Sequence, residues 1–368
     1  MQTPTNEHVD VLIVGAGLSG ICAAYYLQKR CPTRRYAILE GRDAIGGTWD
    51  LFRYPGIRSD SDMHTLGYSF RPWRETKSMA DGPSILNYVR ETAREYGIDR
   101  QIRFGHQVRR AAWSSADGRW MLDVERRPSG ETVRISCNFL FMCSGYYDYA
   151  QGYMPDWPGV ARFQGRMVHP QRWPANLEYA GRRIIVIGSG ATAVTLAPAL
   201  ARRAAHVTML QRSPTYVAAL PADDPTVSRI YQSFPAGIAY HLARWWLIAT
   251  GMYFYELARR LPGMTKQAIK KQVQTYLGPA YDVDTHFSPR YNPWDQRLCV
   301  APNGDLFHAI RSGRAAVVTD RIDTFTETGI RLQSGEELHA DIIVAATGLR
   351  LKLMGGAQLI VDGAAIDL

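Results

Sequence analysis

Val9-Asp-Val-Leu-Ile-Val-Gly15-Ala-Gly17-Leu-Ser-Gly20 decides how this chain folds. Val9 to Val14 is a mostly apolar, β-branched run that reads as a buried parallel strand. It delivers the chain into a glycine turn, and Ile21 to Arg30 then reads as helix, with Ala23, Ala24 and Leu27 available for packing. Gly15, Gly17, Ser19 and Gly20 form the loop of such a unit. Gly15 makes the tight turn, Gly17 lets backbone approach a pyrophosphate, and Gly20 allows close helix-to-strand contact. The phosphates rest on the helix N-terminus, where free amides and the macrodipole favour an anion. The next strand, Tyr36-Ala-Ile-Leu-Glu40, ends in the acid expected to bond an adenosine ribose hydroxyl, which marks an unphosphorylated ribose as in FAD or NAD.

A second unit follows the same logic. Arg183 to Gly188 reads as strand and Ala191 to Ala201 as helix, around Gly188-Ser189-Gly190-Ala191-Thr192-Ala193. Ala193 replaces the third glycine, which the pattern tolerates. The following strand, His206 to Arg212, ends in Gln211-Arg212, a base where the first unit has an acid. A carboxylate there repels a 2′-phosphate, whereas a guanidinium binds one bidentately. The second site is therefore expected to prefer NADPH; otherwise Arg212 is a solvated strand-end charge.

The fold class read from these features is α/β, with two Rossmann-like dinucleotide-binding domains and a helical insert in the second. At 368 residues the chain is long enough for two ordinary domains. The expected division is 1–150, 151–340 with an insert at about 226–274, and a return segment 341–368. Five cysteines, an odd number with no CxxC pair, argue for a reducing, cytoplasmic compartment and against a zinc site or a disulfide reductase. Glu7 and Asp10 at the start of the first strand leave no basic-then-apolar leader. The formal charge of +9 is spread in small groups such as Arg34-Arg35 and Arg109-Arg110, which suits anionic cofactors better than nucleic acid. Ile238 to Leu257 is aromatic and apolar, yet His241, Arg244 and Glu256 interrupt it short of the ~20 residues a membrane span requires. It reads as helical core or substrate wall, with the basic end Arg259 to Lys271 leaving at most peripheral membrane contact.

Three further stretches carry a family resemblance. Phe163-x-Gly165-x-x-x-His169-x-x-x-Trp173-Pro174 resembles the fingerprint of type I Baeyer-Villiger monooxygenases, whose N- and S-oxygenating relatives usually lack the Trp. Gly46-Gly47-Thr48-Trp49, Tyr54-Pro55-Gly56 and Asp60 match a second pattern of that family. Arg53 to Asp60 and Tyr291 to Cys299 are similar to its ethionamide-activating branch, and the similarity covers nearly the whole chain.

The resemblance implies an FAD domain with an inserted NADPH domain. It also implies a reaction in which NADPH reduces FAD, oxygen adds to give a C4a-peroxyflavin, and that species attacks a ketone to give an ester or lactone. It assigns Arg297 as the guanidinium aimed at negative charge on oxygen, and Asp60 as the carboxylate that orients Arg297 through a charge-assisted bond; a purely structural Asp60 to Arg297 bridge is the plainer alternative. Thr48, Trp49 and Leu51 lie along the flavin; Val108 offers backbone to the adenine end; Arg58 and Ser59 face NADP; Gly47, Asp50 and Asp60 count among the cofactor-binding residues. His169 and Trp173 link the domains rather than donate protons.

Two departures from the family stand out. Gln296 replaces a Lys common in relatives, which places more of the 2′-phosphate preference on Arg212. The chain also stops soon after Asp341 to Gly348, where relatives continue for about another domain's worth of structure. Three readings follow: a ketone-oxygenating enzyme with possible sulfur substrates, a sulfur- or nitrogen-oxygenating flavoenzyme, and a nucleotide-binding remnant without turnover.

Overall fold

β-Branched apolar runs become the central strands because only a surface covered on both faces buries every side chain. In the computed structural model, which describes residues 7–75 and 77–367, Ile185, Val186, Ile343 and Val344 are all 0% exposed. Full burial of such side chains contributes roughly 1.5–3 kcal/mol each relative to exposure. Residues 1–6, on which the expectation about a leader partly falls, and Leu368 of the return segment lie outside the described residues.

The chain forms two units. The first gathers the described residues within 1–51, 83–152 and 349–368, and the second those within 52–82 and 153–348.

In the first unit, Glu7–Val14 pairs in parallel with Tyr36–Leu39 on one side and Thr132–Met142 on the other. The sheet has eight strands, extended by an antiparallel meander through His106–Ser114, Arg119–Arg126 and Thr132–Met142. Near the end of the chain, Gln358–Val361 returns to pair in parallel with His106–Ser114. The helix after the first strand spans Leu18–Arg30, three residues earlier than expected, because Gly17 with extended backbone is its N-cap.

The second unit holds a five-stranded parallel sheet in the order Ala315–Thr319, His206–Gln211, Arg183–Ile187, Ile342–Ala345 and Arg166–Val168. The crossover from Arg183–Ile187 to His206–Gln211 is the helix Ala191–Leu200. Both units therefore have the strand, glycine turn, helix and strand order predicted for a Rossmann-like fold. The helical insert consists of Pro225–Ser233, Ala236–Arg260 and Pro262–Leu277. Its reading as core needs correcting: Ala239, Tyr240, Ala243 and Ala258 are buried, but Trp245, Met252, Tyr253 and Phe254 are exposed.

Candidate functional site

In the first unit the end of Glu7–Val14 opens onto a cavity of about 640 Å³, within the size range of cofactor pockets. Gly15 sits at φ +107°, and a Cβ there would lie 2.4 Å from the Cys143 carbonyl oxygen. At Gly20 a Cβ would meet the Gly15 oxygen at 1.9 Å, so this glycine is required by the fold itself. Gly17 is different. Its nearest neighbour would be the Gly47 Cα at 3.7 Å, an ordinary contact. No protein atom explains the missing side chain, which leaves a ligand's approach to the helix N-terminus as the physical reason.

Glu40 stands just beyond the second strand, 6% exposed. Its Oε2 accepts the Ala16 N–H at 2.8 Å and its Oε1 the Arg42 N–H at 2.9 Å. Burial pushes its carboxyl above the usual range, opposed by those two amide bonds. Each oxygen keeps a second lone pair for a hydroxyl donor. Gly15, Gly17, Ser19, Glu40, Gly47, Thr48, Trp49 and Val108 line the cavity. The strand register shifts between Val108 and Arg110, an irregularity that frees backbone at the cavity wall.

Other candidates hold the wall without lining it. Asp50, 1% exposed, is bridged by Arg42 at 2.5 Å and Arg90 at 2.8 Å. Arg42 also donates to the Gly47 oxygen at 3.2 Å, so the carboxylate fixes the guanidinium that anchors the Gly46-Gly47 loop. Gly20 and Leu51 are likewise absent from the lining. The sequence reading missed Arg42 and Tyr149. Arg42 follows Glu40 by two residues, a usable signal; Tyr149 has none, since it comes from a strand a hundred residues away.

In the second unit, Gly188 has φ +135° and Ala193 is fully buried, while Ser189, Gly190, Ala191 and Thr192 are half-buried at the start of their helix. Arg212 lies immediately after its strand, exposed and without an ion pair among the described residues. Gln211 is placed otherwise than a cofactor ligand would be. It is 2% exposed, and its amide donates at 2.8 Å to both the His286 carbonyl and the Thr319 hydroxyl.

Arg297 packs against the glycine loop: a Cβ on Gly190 would lie 2.1 Å from its Nη1. The Tyr291 hydroxyl donates to the Arg297 carbonyl at 2.9 Å. The same turn holds Trp294 at φ +70°, backbone that a bulky residue adopts only under strain. Burial raises the Asp60 carboxyl above its ordinary value, opposed by the charges of Arg58 and Arg297. The expected charge-assisted bond from Asp60 to Arg297 is not formed; among the described residues the two share no hydrogen bond or ion pair, because Arg297 turns toward Gly190. Arg58 bonds Asp305 at 2.6 Å, which occupies the group expected to face the nucleotide, and the Ser59 hydroxyl accepts the Ser61 N–H at 3.1 Å. The Cys299 thiol near Arg297 is pushed up to about 12 by burial, so it is no nucleophile.

His169 accepts the Gln171 N–H on Nδ1 at 3.2 Å, which assigns the proton to Nε2, donating to the Gly348 carbonyl at 3.2 Å. Burial lowers its pKa and that of His64, whose two ring nitrogens are buried without a hydrogen-bond partner. A depressed folded pKa contributes stability that is complete above about 6.5, the unfolded value, and is lost as pH falls below it. The unfolding free energy measured by urea titration is therefore expected to fall between pH 7.5 and pH 5, by at most about 1.4 kcal/mol per pH unit for each histidine. His64→Phe is expected to flatten that slope; an unchanged slope would remove His64 from the account.

Two strand-turn-helix units, one closed by a buried carboxylate and one by an exposed guanidinium, define a protein built around two dinucleotide sites. Residues 9–354 match the family described as flavin-binding monooxygenase-like. The chain belongs to this family. It is 57% identical over 363 residues to the FAD-containing monooxygenase EthA of Mycolicibacterium smegmatis, covering 98% of this chain and 73% of that relative. Its identity to EthA of Mycobacterium tuberculosis is 54%, over 98% of this chain and 74% of the relative. The same fold occurs in a steroid monooxygenase bound to NADP, with TM-score 0.77, 22% identity, and coverage of 97% of this chain and 74% of that one. It also occurs in cyclohexanone monooxygenase in an open form, with TM-score 0.78, 21% identity, and coverage of 98% and 78%.

Proposed function

We propose that this protein is an FAD-containing, NADPH-dependent monooxygenase that uses O2 to insert oxygen beside a ketone carbonyl, with sulfur oxygenation as a second outcome of the same chemistry. The observation that carries this reading is the opposed chemistry of the two strand ends, buried Glu40 in one unit and exposed Arg212 in the other. FAD belongs to the unit with the 15–20 loop and NADPH to the unit with the 188–193 loop.

The residues fit these groups. Gly17 leaves a cradle that a side chain would fill, and Glu40 keeps acceptor capacity for a ribose hydroxyl. The N-terminus of Leu18–Arg30, capped by no side chain of Gly17, suits a pyrophosphate. When bound, NADPH supplies the hydride and FAD the oxygen-activating redox chemistry. The chain's own work is electrostatic: Arg212 meets the 2′-phosphate, and Arg297 stabilises negative charge on oxygen. Asp60 acts as a positioning residue, balancing Arg297 and Arg58 through space. The description of the EthA relatives as FAD-containing and of the steroid monooxygenase structure as NADP-bound supports the pair of cofactors. Five free cysteines support a reducing, cytoplasmic setting, and no helix among the described residues is long and apolar enough to cross a membrane.

The test is oxygen-dependent NADPH oxidation by the purified yellow protein with a ketone, reading ester by mass. Sulfoxide from a sulfide with no ester from any ketone would move the assignment to the sulfur- and nitrogen-oxygenating class. Protein that stays colourless with added FAD would indicate nucleotide binding without turnover.

Arg212→Ala is expected to weaken NADPH far more than NADH. It removes a charged partner of the 2′-phosphate, a loss of about 1.5–3 kcal/mol, and touches nothing NADH presents. Equal losses in KM for both nucleotides would place the 2′-phosphate elsewhere.

A further inference from the structure

We propose that the helix Ala236–Arg260 docks the second unit onto an anionic lipid surface, lying in the plane of the interface. Its outward face carries Ile238, Leu242, Trp245, Met252 and Tyr253, spaced i, i+4, i+7, i+14 and i+15, with Trp246 at the edge. That spacing places them on one stripe of an α-helix. Trp245 is 67% exposed, Met252 65% and Tyr253 63%. Contiguous apolar surface of this kind is rare on a soluble protein unless something covers it.

The stripe is held outward by the opposite face. Ala239 and Ala243 are fully buried, and the Arg244 guanidinium donates to the carbonyls of His64 at 2.7 Å and Thr65 at 3.2 Å. The helix is too polar to span a bilayer. Tryptophan and tyrosine favour the headgroup level, where an apolar ring body meets a wet edge.

Charge selects the occupant. Residues 225–277 contain seven Lys and Arg and one acid, Glu256, a net charge of +6 within the chain's +9. Arg259 is paired with Asp295, Lys270 with Asp284 and Arg260 with Glu256, all exposed pairs of little worth to the fold. Lys266 and Lys271 have no ion partner among the described residues. A second copy of this chain docked about a twofold axis would bring the same basic patch against itself, which is repulsive. Lipid phosphates neutralise it.

Flotation with vesicles tests the idea, comparing phosphatidylcholine alone with an equal mixture of phosphatidylcholine and phosphatidylglycerol. The protein is expected to float with the anionic vesicles at low salt, to release at high salt, and not to float with phosphatidylcholine. Lys266→Glu with Lys271→Glu is expected to weaken binding about tenfold or more. Trp245→Ser with Trp246→Ser is expected to abolish it at an unchanged urea midpoint. Glu256→Lys is expected to strengthen binding, a gain that no folding defect imitates. Failure of the parent to float, or the same partition for Glu256→Lys and the parent, overturns the proposal. So does self-association by light scattering that the tryptophan variant abolishes while vesicles remain unbound, which would assign the face to a second copy.

Discussion

Arg297→Ala is expected to keep NADPH oxidation running while ester formation falls about 100- to 1,000-fold, the loss of about 2.7–4 kcal/mol typical of removing one preorganised donor. Oxidation of the nucleotide needs its binding groups, which the substitution leaves in place. Stabilising negative charge on oxygen needs the guanidinium. Arg297 is suited to that task because its backbone is tied by Tyr291 and its Nη1 lies where a Gly190 side chain would be. The reducing equivalents are expected to leave as hydrogen peroxide, measured per NADPH consumed. Gly190→Ala provides a second check, read at saturating NADPH because the same loop is proposed to hold the nucleotide: its methyl displaces the end of the Arg297 side chain and is expected to reproduce part of the defect with Arg297 intact. Product formation within a few-fold of the parent for Arg297→Ala would make Arg297 structural and favour the sulfur- and nitrogen-oxygenating reading.

Gly17→Ala is expected to yield a folded protein that has lost its flavin. The residue is at φ −82° and ψ −171°, extended backbone that any residue adopts, and the added Cβ makes only a 3.7 Å contact with Gly47. Stability is therefore unaffected, whereas a methyl against the pyrophosphate costs about 1–3 kcal/mol of overpacking and weakens FAD by about 10- to 100-fold. Gly20→Ala is the contrast: its Cβ collides with the Gly15 carbonyl at 1.9 Å, so that variant is expected to fail at folding. The urea midpoint and the visible absorbance of each variant separate the two outcomes. A Gly17→Ala protein that stays fully yellow would move the flavin away from this loop.

The amino-acid sequence by itself determined the two nucleotide units. Glu7–Val14 and Arg183–Ile187 are legible because an unbroken apolar, β-branched run next to a glycine turn has few other ways to bury itself. Glu40 and Arg212 were legible because each closes the strand that follows its loop, a position fixed by local spacing. Tertiary structure alone decided what depends on contacts between distant segments. Residues 52–82 join the unit of residues 153–348, with Gly56 close against the helix Ala191–Leu200, a pairing that no local pattern encodes. Gly190 sits in a loop read as a phosphate cradle, but the atom beside it belongs to Arg297, over a hundred residues later. Arg58 was expected to face a nucleotide and instead holds Asp305, because a guanidinium takes whichever carboxylate folding brings within reach. The aromatic face of Ala236–Arg260 reads in one dimension as core; only the position of its neighbours leaves it outside. Periodicity specifies which residues share a face, while packing specifies what that face meets.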